Sequence, residues 1–271
     1  MSQNYEHHGG NFFFSALKDL TSGLRSHHLW IALAFEDIRR RFMRTFAGIS
    51  WVFFSFALFI LVKAVIFTPL SNESITEFTP YVTIGFFVWV YMQTSISEGC
   101  NSFIAAAGWI KGSRVPLSIF IYQNMARNII LTFVNFLVVV IVMLLTRIEL
   151  GKMAVFIIPV IILFLINSFW VTLFFAIVST RYRDIVHGVQ TIMRVMLFLT
   201  PIFWKPEQMG ALWKILIFNP FSHFVILARE PILENTFPWL SFYVVVGITI
   251  TGLAAALFAY TKNRTKIVFW L

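Results

Sequence analysis

The reading of this chain turns on TRYRDIVHGVQTIMRVMLFLTPIFW, Thr180 to Trp204. A short basic turn, Thr180-Arg181-Tyr182-Arg183-Asp184-Ile185, feeds an apolar run that closes on Thr200-Pro201-Ile202-Phe203-Trp204. Lys and Arg in short loops are held on the cytoplasmic side of a membrane. The two arginines therefore put the foot of this run inside and its Thr-Pro end outside.

Composition supports a membrane setting for the whole chain. Soluble domains are about half apolar and a quarter charged, whereas these 271 residues are 59% hydrophobic and 12% charged, with a mean hydropathy of +0.81. The fold class expected is an all-α membrane protein, because helices and closed barrels alone satisfy every backbone group in lipid and the apolar runs here have helical length. A net charge of +9 could point to nucleic acid, but the basic residues sit beside apolar runs. Orientation and anionic headgroups account for them, and no nucleic-acid partner is expected. The single Cys100 excludes an internal disulfide or a multi-cysteine metal centre.

Working outward from that stretch gives six spans. Residues 1 to 23 are mixed and polar and read as a solvated tail; the pairs His7-His8 and His27-His28 lack the i, i+4 spacing of a helical metal site, and no metal is expected. From His28 to Thr45, Ile31, Phe35, Ile38, Phe42 and Phe46 recur at steps of three and four, with Glu36, Asp37, Arg39, Arg40, Arg41 and Arg44 between them. This predicts an amphipathic helix on the cytoplasmic membrane face, with a helix packed on protein as the other reading. Together residues 1–45 form the cytoplasmic N-terminal region.

The transmembrane domain is placed at 46–260. Its spans are expected at Phe46–Phe67, Tyr81–Phe103, Ile119–Leu145, Ala154–Ser179, His187–Trp204 and Trp239–Tyr260, with a polar outer connection over Thr68–Pro80. Residues 205–237 should hold short external helices, since Leu212–Phe218 and Phe221–Leu227 are apolar but far below the ~20 residues needed to cross. They are re-entrant or interfacial. Residues 261–271 are read as a cytoplasmic tail.

Charges within spans need partners or water. Arg127 lies at a depth where Glu98 of the preceding span could meet it, and Arg194 sits inside the fifth span; the three are assigned to a polar path for an anionic substrate or to structural ion pairing. No G-x-x-x-x-G-K-[S/T] loop occurs, so the chain holds no ATP by that route. Aromatics make up 18% of the chain, and flat rings suit sugar faces. Tyr81, Trp89, Tyr91, Phe203 and Trp204 are the rings selected as glycan contacts, because they lie at outer or partly polar helix segments.

Several short motifs recur in a known order. The Arg39-Arg40-Arg41-Phe42 group with Gly48 and Trp51, the Arg181-Tyr182-Arg183-Asp184-Ile185 turn, Thr200-Pro201, Asn219-Pro220-Phe221-Ser222-His223 with Arg229, and the end Lys266-Ile267-Val268-Phe269-Trp270-Leu271 resemble the permease subunit of ABC exporters of lipid-linked polysaccharide such as O-antigen. Ala47 and an extra residue between Gly48 and Trp51 depart from that family's pattern. The resemblance implies six transmembrane helices after an interfacial helix, a homodimer carrying two ATPase subunits, ATP and Mg bound only in those partners, and both termini inside a bacterial inner membrane. It also implies that Arg39, Arg40, Arg41, Lys111, Arg114, Arg181, Arg183 and Asp184 lie where the ATPases dock.

Two other classes stay open. An ATP-independent flippase would share this composition. A membrane transferase acting on a lipid carrier would too, but it should show a His or paired carboxylates for acid-base chemistry. His187 and His223 fall on opposite sides in the six-span scheme, and no carboxylate pair is evident.

Overall fold

The computed structural model describes residues 12–71, 74–113, 115–205 and 218–271. Helices make up nearly all of it: α1 (Phe12–Arg25), α2 (His27–Phe42), α3 (Ser50–Ser71), α4 (Ile75–Ala105), the short α5 (Ala107–Gly112), α6 (Ser118–Leu145), α7 (Ile157–Arg181), α8 (Asp184–Leu199), α9 (Pro220–Leu233) and α10 (Trp239–Trp270). A 3-10 turn, Lys152–Phe156, leads into α7. Among the described residues, three helical stretches are long and apolar enough to cross a bilayer: Ser118–Leu145, Lys152–Arg181 and Trp239–Trp270. The chain is a multi-pass membrane protein.

Helix α4 is the hub, packing against α3, α6, α7, α8 and α9. Its ends are set by local chemistry. Ser74 caps the start: its hydroxyl accepts the Glu77 N–H while the Glu77 carboxylate accepts the Ser74 N–H, a reciprocal capping box. Pro80 is the sixth residue of this helix, so the i to i−4 hydrogen bond back to Thr76 is missing there. The expected polar connection over Thr68–Pro80 is therefore mostly helix, since α3 extends to Ser71 and α4 begins at Ile75.

Polar residues of α4 do not face lipid. Ser95 donates to the Tyr91 carbonyl, lies 3.1 Å from the Ser168 hydroxyl of α7 and accepts from Asn128 Nδ2 of α6 at 2.6 Å. A chain of small polar groups thus fastens three helices in a region with no water to compete. Gly99 lets α4 and α7 meet: a Cβ there would stand 3.0 Å from the Thr172 Cα. On the other side of α7, Asn167 Nδ2 donates to Thr249 Oγ1 of α10 at 2.7 Å. Cys100 is fully buried beside this seam.

Three expectations are corrected. The N-terminal segment is not a solvated tail from Phe12 onward: α1 buries Ala16, Asp19, Leu20 and Gly23 against α6 and α10; residues 1–11, with His7-His8, lie outside the described residues. The stretch 261–271 is no separate tail, because α10 runs unbroken to Trp270 with Ile267 fully buried. The fifth apolar run is shorter as a helix than His187–Trp204 suggests. Thr200 leaves the helical conformation, so α8 has 16 residues, about 24 Å at 1.5 Å per residue against a hydrocarbon core of about 30 Å.

Helix α2 occupies the segment expected to be amphipathic. Ala34 and Ile38 are buried, while Ile31 and Phe35 of the apolar stripe stay exposed. The link from α2 to α3 bends at two residues in the left-handed region, Arg44 (φ 66°) and Gly48 (φ 55°). Gly48 takes that conformation without a Cβ penalty.

Of the segment expected outside, residues Pro220–Leu233 form a short helix, α9, with Asn219 as its cap, accepting the Phe221 N–H at 3.0 Å. The other predicted run, 212–217, lies outside the described residues. Asn235, also left-handed (φ 51°), ends this unit and accepts the Met153 N–H at 3.0 Å, fastening α9 to the turn before α7.

Candidate functional site

Two polar constructions sit toward one end of the bundle, where α2, α5, the C-terminus of α4 and the N-terminus of α6 converge. The first is a chain of four charges. Arg127 of α6 places Nη1 2.9 Å from Asp37 Oδ2 of α2 and Nη2 3.1 Å from Glu98 Oε2 of α4. The other Glu98 oxygen accepts from Arg41 Nη2 at 2.7 Å. Gln123 Nε2 donates to the same Asp37 oxygen at 2.7 Å, and Asn124 Nδ2 donates to the Glu98 carbonyl at 3.0 Å. Two acids and two arginines alternate, so no charge is left uncompensated. Arg127 is the most sheltered, with its side chain 16% exposed.

Apart from Arg41, these groups line a cleft of about 160 Å³ that also takes in Glu36, Asn101 and Ser102. Glu98 and Arg127 meet, as their sequence depth suggests. Asp37 and Arg41 were read as the polar face of a surface helix; their part in this chain was invisible because the partners lie 90 and 57 positions away. Arg194 is not brought to the cleft. It lies exposed on α8 with no partner among the described residues.

The second construction centres on Asp19 of α1, 5% exposed. Its carboxylate accepts the backbone N–H groups of Leu117 and Ser118 at 3.2 and 3.1 Å, which open α6. Open N–H groups at a helix start and the positive end of its dipole favour such an anion. Asp19 also accepts the Tyr260 hydroxyl at 2.7 Å and pairs with Arg264 Nη2 of α10 at 3.1 Å. One side chain thereby ties α1 to both α6 and α10. An isolated Asp in a polar-looking stretch gave no sign of this.

The residues expected at an ATPase docking face are distributed as follows. Arg39 and Arg40 are exposed on α2, Arg40 paired with Glu36 at 2.9 Å, while Arg41 is drawn into the charge chain. Lys111 is exposed on α5, beside Trp109. Arg114 lies outside the described residues. Arg181, Arg183 and Asp184 are exposed at the α7–α8 turn, and the Arg181 guanidinium stacks 5.2 Å from both the Tyr182 and Trp270 rings, bringing the turn to the C-terminal end of α10.

The aromatic residues chosen as glycan contacts behave otherwise. Trp89 is fully buried with its Nε1 donating to Gln93, and Tyr81, Tyr91 and Phe203 are 5–8% exposed. Their hydroxyls or rings serve packing: Tyr91 donates to the Phe164 carbonyl, Tyr81 to that of Trp204. In this arrangement they are core groups, because partly polar helix segments here face other helices. Trp204 alone of the five is partly exposed. Exposed rings lie instead on many of the helices, among them Trp51 and Phe54 of α3 and Phe198 of α8.

Among the described residues no group of three His, Cys, Asp or Glu is placed to hold a metal. His223 is buried, with Nδ1 3.0 Å from the Ser241 hydroxyl. The fold and these polar groups define a polytopic, all-helical membrane protein whose charges hold helices together.

No family model matches the chain. It is 22% identical over 240 residues to an O-antigen export system permease protein, RfbA, of Klebsiella pneumoniae, covering 87% of this chain and 93% of that protein. A second RfbA from the same organism is 21% identical over the same shares, and the RfbA of Myxococcus xanthus is 23% identical over 180 residues, 65% of this chain and 68% of its own length. The chain resembles the permease subunit of polysaccharide-exporting ABC transporters, as its motifs suggest, and its relatives are transport proteins rather than enzymes.

Proposed function

We propose that this chain is the transmembrane subunit of an ATP-driven exporter that carries lipid-linked polysaccharide, O-antigen in the first place, across a bacterial inner membrane. The observation that carries the reading is likeness along nearly the whole length of O-antigen permeases, 87% of this chain and 93% of the relative. The subunit works as a homodimer with two ATPase subunits on the inner side, crosses the membrane six times and keeps both termini inside.

A further feature supports a path shared between two copies. His187, Thr191, Arg194 and Phe198 follow one another at steps of three and four on α8, and all are exposed. A cation turned away from its own chain within an apolar segment requires protein or water opposite. A second copy supplies both, with the glycan passing between the two α8 faces and the exposed rings of α3. Hydrolysis in the ATPases pushes on α2, on the turn near Lys111 and Arg114, and on the Arg181–Asp184 turn.

Copurification tests the assembly. Tagged chain extracted from its native membrane should bring down a Walker-motif subunit, and replacing that subunit's Walker lysine should abolish surface O-antigen. Export by the chain alone in proteoliposomes without ATP would instead establish the flippase alternative.

A further inference from the structure

Helices α6 and α7 each pack closely on α4 and touch each other less, which leaves a seam between them. Both walls are apolar at helical spacing. On α6, Tyr122, Met125, Ile129, Phe133 and Phe136 follow at steps of three and four, and on α7 Ile161, Leu165 and Phe169 face them. Two cavities of about 400 and 340 Å³ lie along the seam and share the Ile129 and Leu165 side chains. Their α6 wall covers positions 122–139, about 26 Å at 1.5 Å per residue, against about 15 Å for one leaflet of the hydrocarbon core. The seam opens sideways, since Ile129, Phe133, Ile161 and Ile162 are exposed. Among the described residues none of α3 or α8 lines it.

At the end of the seam beside α1 the chemistry changes. The Trp30 and Tyr122 ring centres lie 6.1 Å apart, and Tyr122 stacks on Phe169 at 5.8 Å. Both polar tips turn onto α1: the Tyr122 hydroxyl donates to the Leu20 carbonyl at 3.1 Å and Trp30 Nε1 to the Leu24 carbonyl at 3.4 Å. Such rings, apolar at one end and polar at the other, mark a membrane boundary. Arg25 follows Leu24, whose side chain lines the seam, and Lys18 lies seven positions earlier on the same face of α1 as Arg25. Both cations are exposed, and neither has an ion pair among the described residues. The nearest described acids in sequence are engaged elsewhere: Asp19 with the start of α6 and Arg264, Glu36 with Arg40, and Asp37 with Arg127. We infer that the seam holds one anionic phospholipid, with an acyl chain between α6 and α7 and the phosphate at Arg25 and Lys18. An apolar slot ending on uncompensated cations fits a molecule with a long chain and a negative end. This lipid is a resident of the bilayer and not the exported cargo, so the site goes beyond the export reading and does not depend on it.

The full chain, purified in maltoside and stripped of lipid, is titrated with dioctanoyl phosphatidylglycerol and with dioctanoyl phosphatidylcholine, following the melting temperature, while native mass spectrometry counts the lipid retained. Phosphatidylglycerol should raise the melting temperature saturably at one lipid per chain, and at a concentration about tenfold or more below that of phosphatidylcholine. Lys18→Gln combined with Arg25→Gln, both at exposed positions, should weaken the phosphatidylglycerol response roughly thirtyfold and remove the preference. Ala126→Phe, which fills the slot beside Tyr122, should lose the response to both lipids; where that variant fails to fold, the charge variant decides alone. Equal wild-type responses to the two lipids, as a loose annulus gives, would overturn the inference. So would an unchanged phosphatidylglycerol response in the charge variant or in folded Ala126→Phe, or no wild-type response at all, as when a second copy covers the seam. The titration involves no ATPase or glycan, so its failure leaves the export proposal standing.

Discussion

Arg127 and Asp37, ninety positions apart, lie 2.9 Å from each other across the junction of α6 with α2. Through Arg127 the pair is continuous with Glu98 and Arg41, so α2 is joined to α4 and α6 by charge. Removing one member of a sheltered pair leaves its partner desolvated and uncompensated. Glu98→Ala should therefore destabilise by about 1–3 kcal/mol, and Arg127→Ala added to it should cost less than the two separately. A thermal double-mutant cycle in detergent measures the coupling; additive losses would remove the pair from the account.

The Asp19 carboxylate makes a different prediction. With two backbone N–H groups, a tyrosine hydroxyl and Arg264 depending on it, Asp19→Ala should cost on the order of 3 kcal/mol. It should also free α1. Limited proteolysis should cut at Lys18 or Arg25 in the variant and spare the wild type.

Close approach of α4 and α7 at Gly99 leaves no room for a side chain against the Thr172 backbone. Gly99→Val should lower stability by about 1–3 kcal/mol through overpacking. Gly108→Val, at a glycine whose Cβ would meet nothing within 4 Å, is the matched control and should lose less.

On α9, which is too short to cross, burial first and repulsion from Glu234 second push the Glu230 carboxyl up to about 7 from an ordinary value of 4.5, with Arg229 opposing the rise. A raised carboxyl means the folded state holds its proton more tightly. Its stabilising contribution is complete below pH 4.5 and is lost as pH rises through about 7. Melting temperatures taken from pH 5 to pH 8 should fall more steeply for wild type than for Glu230→Gln.

Arg194 has no partner among the described residues, so Arg194→Ala should leave the melting temperature of the isolated subunit unchanged while reducing surface polysaccharide. Loss of stability without loss of export would place Arg194 in packing instead.

How far the sequence could be read follows from what each signal measures. Apolar runs and basic turns report on lipid and orientation, and they located α3, α6, α7 and the start of α10 to within a few residues, while α10 runs on to Trp270 beyond the expected end at Tyr260. The Glu98–Arg127 meeting was legible because both lie in adjacent spans at comparable depth. Asp19 was not, since a helix held by one carboxylate on a distant helix start carries no periodic mark. Trp89 and Tyr91 lie inside the bundle for a reason the sequence does not mark: polarity in α4 reflects the Ser95, Ser168 and Asn128 contacts with neighbouring helices, and the rings beside it are enclosed with them.

The left-handed bend at Arg44 and Gly48 gives the molecule a mechanical order that differs from its order of synthesis. Helix α2 is tied sideways to α4 and α6 by ion pairs but packs little against its own successor, α3, which it reaches through that articulated link. A thrust delivered to α2 from beneath the membrane would reach the centre of the bundle before it reached the adjoining residues, leaving α3 to follow as a trailing arm.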